Sequence, residues 1–148
     1  PERDTETETQ VPMRGGAVIR DHLESIRATA RAVETVPELA VIAKHLSAAV
    51  DATAAATEWL LETGAADPAA RLPGATAYLE MLALTTAAEI LTAGALAARE
   101  LDGDTADQRA VLARFFAVNR VARVPGMVAS VTSLGPELAA GRAHVLGG

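Results

Sequence analysis

From Ile19 onward the apolar positions recur at three and four residues, through Ile19, Leu23, Ile26, Ala30 and Val33, which is the period of one helical face. Arg20, Glu24, Arg27, Arg31 and Glu34 follow the same period one residue later. They form a charged seam in which Arg20–Glu24 and Glu24–Arg27 are spaced to pair, at about 0.2–0.5 kcal/mol each. Pro37 cannot sit in a helix interior and pushes Val36 toward extended backbone. The spacing therefore predicts a break near Thr35 and a second helix with Pro37 in its first turn. Its stripe reads Leu39, Ile42, Leu46, Ala49, Val50, Thr53, Ala56, Leu60 and Leu61. Gly64 is the expected residue beyond its end, and Asp67-Pro68 marks the next start.

The segment from Ala75 to Ala98 has a different pattern, with Glu80 and Glu89 as its only charges. The spacing between them is about two and a half helical turns, so they point to opposite sides. A helix apolar nearly all round is either buried on all sides or spans a membrane. Its many Ala and Thr, and two Glu that would cost about 2–3 kcal/mol each in hydrocarbon, argue against a span. One side of every helix in a four-helix bundle stays wet, so the excess apolarity implies a partner. Next, Thr105 is the expected N-cap of a fourth helix, with Asp107 in its first turn. Val111, Leu112, Phe115, Phe116, Val118 and Val121 are its expected inner side, and Pro125-Gly126 interrupts it. Met127, Val128, Val131 and Leu134 continue the pattern to Gly135-Pro136. No run alternates as a strand would.

These patterns predict an all-α fold, an antiparallel four-helix bundle with a kinked last helix. Trp59, Tyr78, Leu82, Phe115 and Phe116 are the expected packing anchors. The bundle is expected over 15–140. Residues 1–14 alternate Glu and Thr with few apolar side chains and read as a flexible linker or arm, and 141–148 read as a mobile tail. The chain starts at Pro1 rather than Met, with no signal-like segment behind it, which suggests a processed chain or a piece of a longer one.

Composition narrows the chemistry. Thirteen basic against 19 acidic residues leave a net charge of −6, so the cationic footprint of a nucleic-acid binder is missing. With no Cys there is no disulfide, thiolate nucleophile or Cys-ligated metal. His22, His45 and His144 form neither a Glu-x-x-His nor a His-x-x-x-His pair, which removes the di-iron and zincin patterns. His22 reads as a solvated surface residue, His45 as a flank of the second stripe, and His144 belongs to the tail. Glu80 and Glu89 are expected to reach solvent or an arginine such as Arg99 or Arg114, and their opposite directions exclude a paired-carboxylate site. Arg20, Arg27 and Arg31 on the first helix, and Arg109 and Arg114 on the fourth, have the chemistry to hold a phosphate or carboxylate by bidentate contacts. Interleaved acids favour ion pairs on a wet surface instead. Arg120 and Arg123 have no acid between them and Pro125. No glycine-rich phosphate loop and no Gly-x-Ser-x-Gly elbow is present. The residues themselves assign no catalytic side chain, no metal ligand and no cofactor contact.

Ala75-Thr76-Ala77-Tyr78-Leu79-Glu80-Met81-Leu82-Ala83 resembles the Ala-Thr-Pro-Tyr-Leu-x-apolar-apolar-Gly segment of the extra C-terminal helical domain of the larger bacterial acyl-CoA dehydrogenases. Ala88-Glu89-Ile90-Leu91-Thr92-Ala93-Gly94-Ala95-Leu96-Ala97-Ala98 is similar to that domain's small-residue helix. Ala113-Arg114-Phe115-Phe116-Ala117 and Val124-Pro125 resemble its Ala-Arg-Phe-Tyr-Ala motif and later Leu-Pro, and the Trp59-Leu60-Leu61 and Asp67-Pro68 segments fit as well. The resemblance runs from roughly Gly15 to Leu138, and its force lies in the order of the motifs. Ala83, Ala77 and Phe116 depart from the family's Gly, Pro and Tyr, all at packing positions.

The resemblance implies a bundle appended to a cytoplasmic, flavin-dependent enzyme of fatty-acid metabolism, packing on its catalytic domains or a neighbouring subunit of a homo-oligomer. FAD and the catalytic Glu would belong to the parent enzyme's other domains, since no position here matches their motifs. Neither Glu80 nor Glu89 takes the catalytic role. The alternative is a free-standing α-helical binding or dimerisation module without enzymatic activity.

Overall fold

The computed structural model describes the backbone of residues 3–133 and 141, and the side chains of 15–133 and 141. The first helix, α1, spans Arg3–Glu34. It therefore includes most of the segment read as an arm, whose side chains lie outside the described residues, as does the tail beyond Gly141. The break after α1 falls where Pro37 predicts it. Val36 N–H donates to the Val33 carbonyl at 3.1 Å and Leu39 N–H to that of Val36 at 2.9 Å, a tight turn that carries the chain around. Pro37 lies in this turn rather than in the first turn of α2, which spans Ala40–Ala66. Leu39, fully buried ahead of α2, plugs the corner.

Gly64 does not end α2. The helix runs two residues further and Asp67 closes it, its N–H donating to the Thr63 carbonyl at 2.7 Å. The Asp67 carboxylate then accepts from Ala69 N–H at 3.0 Å, opening a 3₁₀ turn over Pro68–Arg71. One side chain thus stops a helix and starts the next element. α3 spans Ala75–Ala98, and α4 spans Gly103–Asn119. The cap of α4 is Asp102 rather than Thr105. Its two carboxylate oxygens accept Thr105 N–H at 2.9 Å and Thr105 Oγ1–H at 2.8 Å, so Thr105 serves as the donor. Asp104, not Asp107, is the acid of the first turn. A 3₁₀ stretch over Val121–Met127, with Pro125 inside it, bends the last helix before α5, Val128–Thr132. The chain forms an all-α bundle whose last helix is kinked, and no strand occurs among the described residues.

Short connections turn each long helix back on its predecessor. α2 is the axis, packed against α1, α3, α4, α5 and both 3₁₀ stretches. The buried core is aliphatic: Leu23, Ile26 and Val33 of α1 meet Leu39, Ile42, Leu46 and Val50, with Met81, Val121, Val124 and Val131 closing the far side. The expected aromatic anchors are not at its centre. Trp59, Tyr78 and Phe116, with Leu82, are half-buried and pack on its rim, and Phe115 is exposed. Buried Thr53, Thr57, Thr85 and Thr92 each donate to the carbonyl four residues back, at 2.6–2.8 Å, so they enter an apolar seam without an unpaired hydroxyl proton. Gly74 is needed where α3 begins, because a Cβ there would collide with the backbone of Val131.

Candidate interaction surface

Met81, Thr85, Ala88, Thr92 and Ala95 recur along α3 and are buried. On its other side Leu79, Ala83, Ile90 and Ala97 are exposed. The helix that reads as apolar all round is therefore covered on one face and open on the other, with Leu79 and Ile90 each 63% exposed. By length and composition alone α3 is long and apolar enough to cross a membrane. The half-buried Glu89, bonded to Thr29 of α1, and the threonines of the buried face are the chemistry of a helix packed on protein.

α4 repeats the arrangement and corrects the expected orientation. It turns Ala110, Ala113 and Ala117 inward, while Val111, Leu112, Phe115 and Val118 face out, Phe115 at 64% exposure. The sequence carries two apolar stripes at helical period. The alanine stripe goes inside because small residues bring the helix axes closer together. Leu101, in the connection between α3 and α4, is also 63% exposed. Large exposed apolar side chains gathered on neighbouring elements mark a contact surface rather than ordinary solvent-facing scatter.

The α1–α2 side also exposes Val18 and Val41, but it is laced with ion pairs that, among the described residues, α3 and α4 do not carry on their outward faces. Arg20 Nε and Nη2 donate to the two Glu58 oxygens at 2.7 Å each, a forked pair between helices. Arg27 reaches Asp51 at 2.9 Å, and Arg31 reaches Glu24 at 2.9 Å. Glu24 also lies 3.7 Å from Arg27, as its spacing predicts, but Arg20 chooses Glu58 over Glu24. Hydrogen bonds from Arg20 and Arg31 hold the Glu58 and Glu24 carboxyls below the usual carboxylate range, and the Glu58 contact raises the Arg20 guanidinium. The two Thr105 donors lower Asp102 in the same way.

The remaining candidates separate along these lines. Arg99 Nε donates to Glu38 at 3.0 Å and Arg114 to the Glu38 carbonyl at 3.0 Å, so neither serves Glu80 or Glu89. Glu80 is exposed, and Glu89 accepts from Thr29 Oγ1 at 3.1 Å. His22 is not a solvated surface residue. It is half-buried, with Nε2 2.8 Å from Thr86 Oγ1 of α3, a contact between positions too far apart in sequence to be read from spacing. His45 is half-buried, Arg109 is exposed, and His144 lies outside the described residues. Arg120 and Arg123, without an acid in their own segment, share a cleft of about 260 Å³ with Glu80, Leu84 and Met127. Among the described residues no group of His, Asp and Glu is placed to hold a metal ion. A second cleft, about 320 Å³, lies between Ile19, Leu60, Leu61, Arg71 and Tyr78.

What this surface offers is apolar contact beside a charge-laced flank. A family model described as acetyl-CoA dehydrogenase C-terminal like matches residues 22–140, from the middle of α1 past the kinked last helix. Among curated proteins and solved structures nothing matches. With most of its length accounted for by that one model, the chain belongs to the acetyl-CoA dehydrogenase C-terminal-like family.

Proposed function

We propose that this chain is the helical C-terminal domain of a flavin-dependent acyl-CoA dehydrogenase, docked through the outward faces of α3 and α4 onto the catalytic domains or a neighbouring subunit. The observation that carries the reading is the pair of uncovered apolar faces, centred on Ile90 and Phe115. Burying side chains of this size is worth about 1.5–3 kcal/mol each, enough for a few of them to hold a domain in place. In this reading residues 1–14 lead from the body into the bundle, and the assembly is a cytoplasmic homo-oligomer. The role is scaffolding, and the catalytic residues lie outside this chain.

The residues here do not fit a flavin dinucleotide. Among the described residues the cleft of about 320 Å³ is lined almost wholly by apolar side chains, with Arg71 as its one cation, too little charge for a pyrophosphate. No step of the chemistry is therefore routed through this bundle.

Co-purification of the tagged catalytic body with this chain tests the proposal. The native chain is expected to be retained, and the Ile90→Glu/Phe115→Glu double variant to bind at least tenfold more weakly while keeping its helical signal. Equal retention of both would overturn the docking face. A chain that ignores the body and sediments as a dimer dissociated by the same double variant would establish the dimerisation module instead.

A further inference from the structure

The cleft between α1, α2 and the start of α3 borders the outward face of α3, with which it shares Leu79, and adds one charged group to it. Ile19, Leu60 and Leu61 make its walls hydrocarbon. The two hydroxyls in the wall have no proton to offer a ligand. Thr57 Oγ1 donates to the Thr53 carbonyl at 2.7 Å, so the 2.9 Å contact between Thr57 and Tyr78 is made by the tyrosine O–H donating to Thr57. Arg71 is the exception. Its Cδ, Nε and Cζ lie over Gly64 of α2, where any Cβ would displace them. The 3₁₀ turn capped by Asp67 fixes the backbone that carries it. Among the described residues Arg71 makes no ion pair. One cationic side chain on the lining of an otherwise apolar cleft whose hydroxyls are spent favours a ligand with one anionic end and an otherwise apolar body.

We propose that this cleft binds a single linear aliphatic carboxylate, with the carboxylate on Arg71 and the chain lying between Leu60, Leu61 and Ile19. A volume of about 320 Å³ suits one medium-length chain rather than a two-chain lipid. Leu79 also belongs to the outward α3 face, so the site is tested on the full chain alone, where no docked body covers it.

Decanoate, decanol and decyltrimethylammonium, each below its micelle concentration, are titrated into the full chain and followed by amide NMR shifts. Decanoate is expected to bind one to one and to shift the signals of Leu60 and Tyr78. It should bind at least tenfold more tightly than the cationic probe. Arg71→Gln should weaken decanoate at least tenfold and change decanol less than twofold. Arg71→Lys, which keeps the charge, should hold decanoate within about threefold of the native chain, and it remains informative if Arg71→Gln does not fold. No saturable decanoate binding by the full chain overturns the proposal. Equal binding of all three probes, or an unchanged decanoate affinity in Arg71→Gln, overturns it as well.

Discussion

The α1–α2 surface and the α3–α4 surface cover the same aliphatic core and face outward with opposite chemistry. On the first, Arg20, Arg27 and Arg31 are tied to Glu58, Asp51 and Glu24. On the second, Ile90, Phe115 and Val118 face out with nothing described over them. Exposed ion pairs contribute about 0–1 kcal/mol each, so the charged side gains little stability and chiefly remains compatible with water. The apolar side gives up more than that for each large side chain it leaves uncovered. The buried core is drawn from the inner stripes, so the outer faces differ in chemistry without changing it.

Core and apolar surface separate most sharply under truncation to alanine. Leu46→Ala, at a fully buried position beneath both surfaces, should cost about 2–5 kcal/mol in chemical denaturation. Phe115→Ala, of larger volume but mostly exposed, should cost under about 1 kcal/mol. A loss at Phe115 as large as that at Leu46 would mean that α4 turns its large stripe inward after all. Tyr78→Phe keeps the ring on the core rim and removes its hydrogen bond to Thr57. It should cost about 0.5–1.5 kcal/mol by the same measurement, and a larger loss would place Tyr78 deeper than the rim.

How much of this was legible follows from where the pattern was unambiguous. α3 can be bounded from sequence because a mostly apolar run, charged only at Glu80 and Glu89, sits between Pro73-Gly74 and Arg99-Glu100, and its need for a second cover follows from having no polar stripe. α4 could not be oriented. Ala110, Ala113 and Ala117 share the helical period with Val111, Phe115 and Val118, and periodicity does not say which set fits against a close neighbour. The core's aliphatic character is not legible because aromatic size does not fix depth: Trp59 of α2, Tyr78 of α3 and Phe116 of α4 pack on the rim, and Phe115 is exposed. The His22–Thr86 and Arg20–Glu58 contacts join distant positions, and no local spacing carries them. The order of motifs between Trp59 and Pro125 did carry the family, and the family match runs across that whole stretch.

The smallest effect lies on the charged side. Glu58 and Glu24, held by arginine below the usual carboxylate range, bind fewer protons folded than unfolded in that window. Stability is therefore present above the ordinary glutamate value of about 4.3 and falls as pH drops through the lowered folded values. Arg20→Gln should flatten that acid dependence slightly and leave docking untouched, which an acid titration followed by circular dichroism would read. An unchanged acid limb would show that the Arg20–Glu58 pair is too solvated to matter.

Docking through the apolar side is tested most directly by solvent access at single positions, which the absence of native cysteine from this chain makes practical. Ile90→Cys, Phe115→Cys and, on α2, Glu62→Cys would be reacted with a maleimide in this chain alone and in the intact dehydrogenase, with labelling read peptide by peptide. All three should react at comparable rates in the chain alone. In the intact enzyme positions 90 and 115 should be protected at least tenfold and position 62 should not. Unprotected labelling at 90 and 115 in the intact enzyme would contradict the docking face.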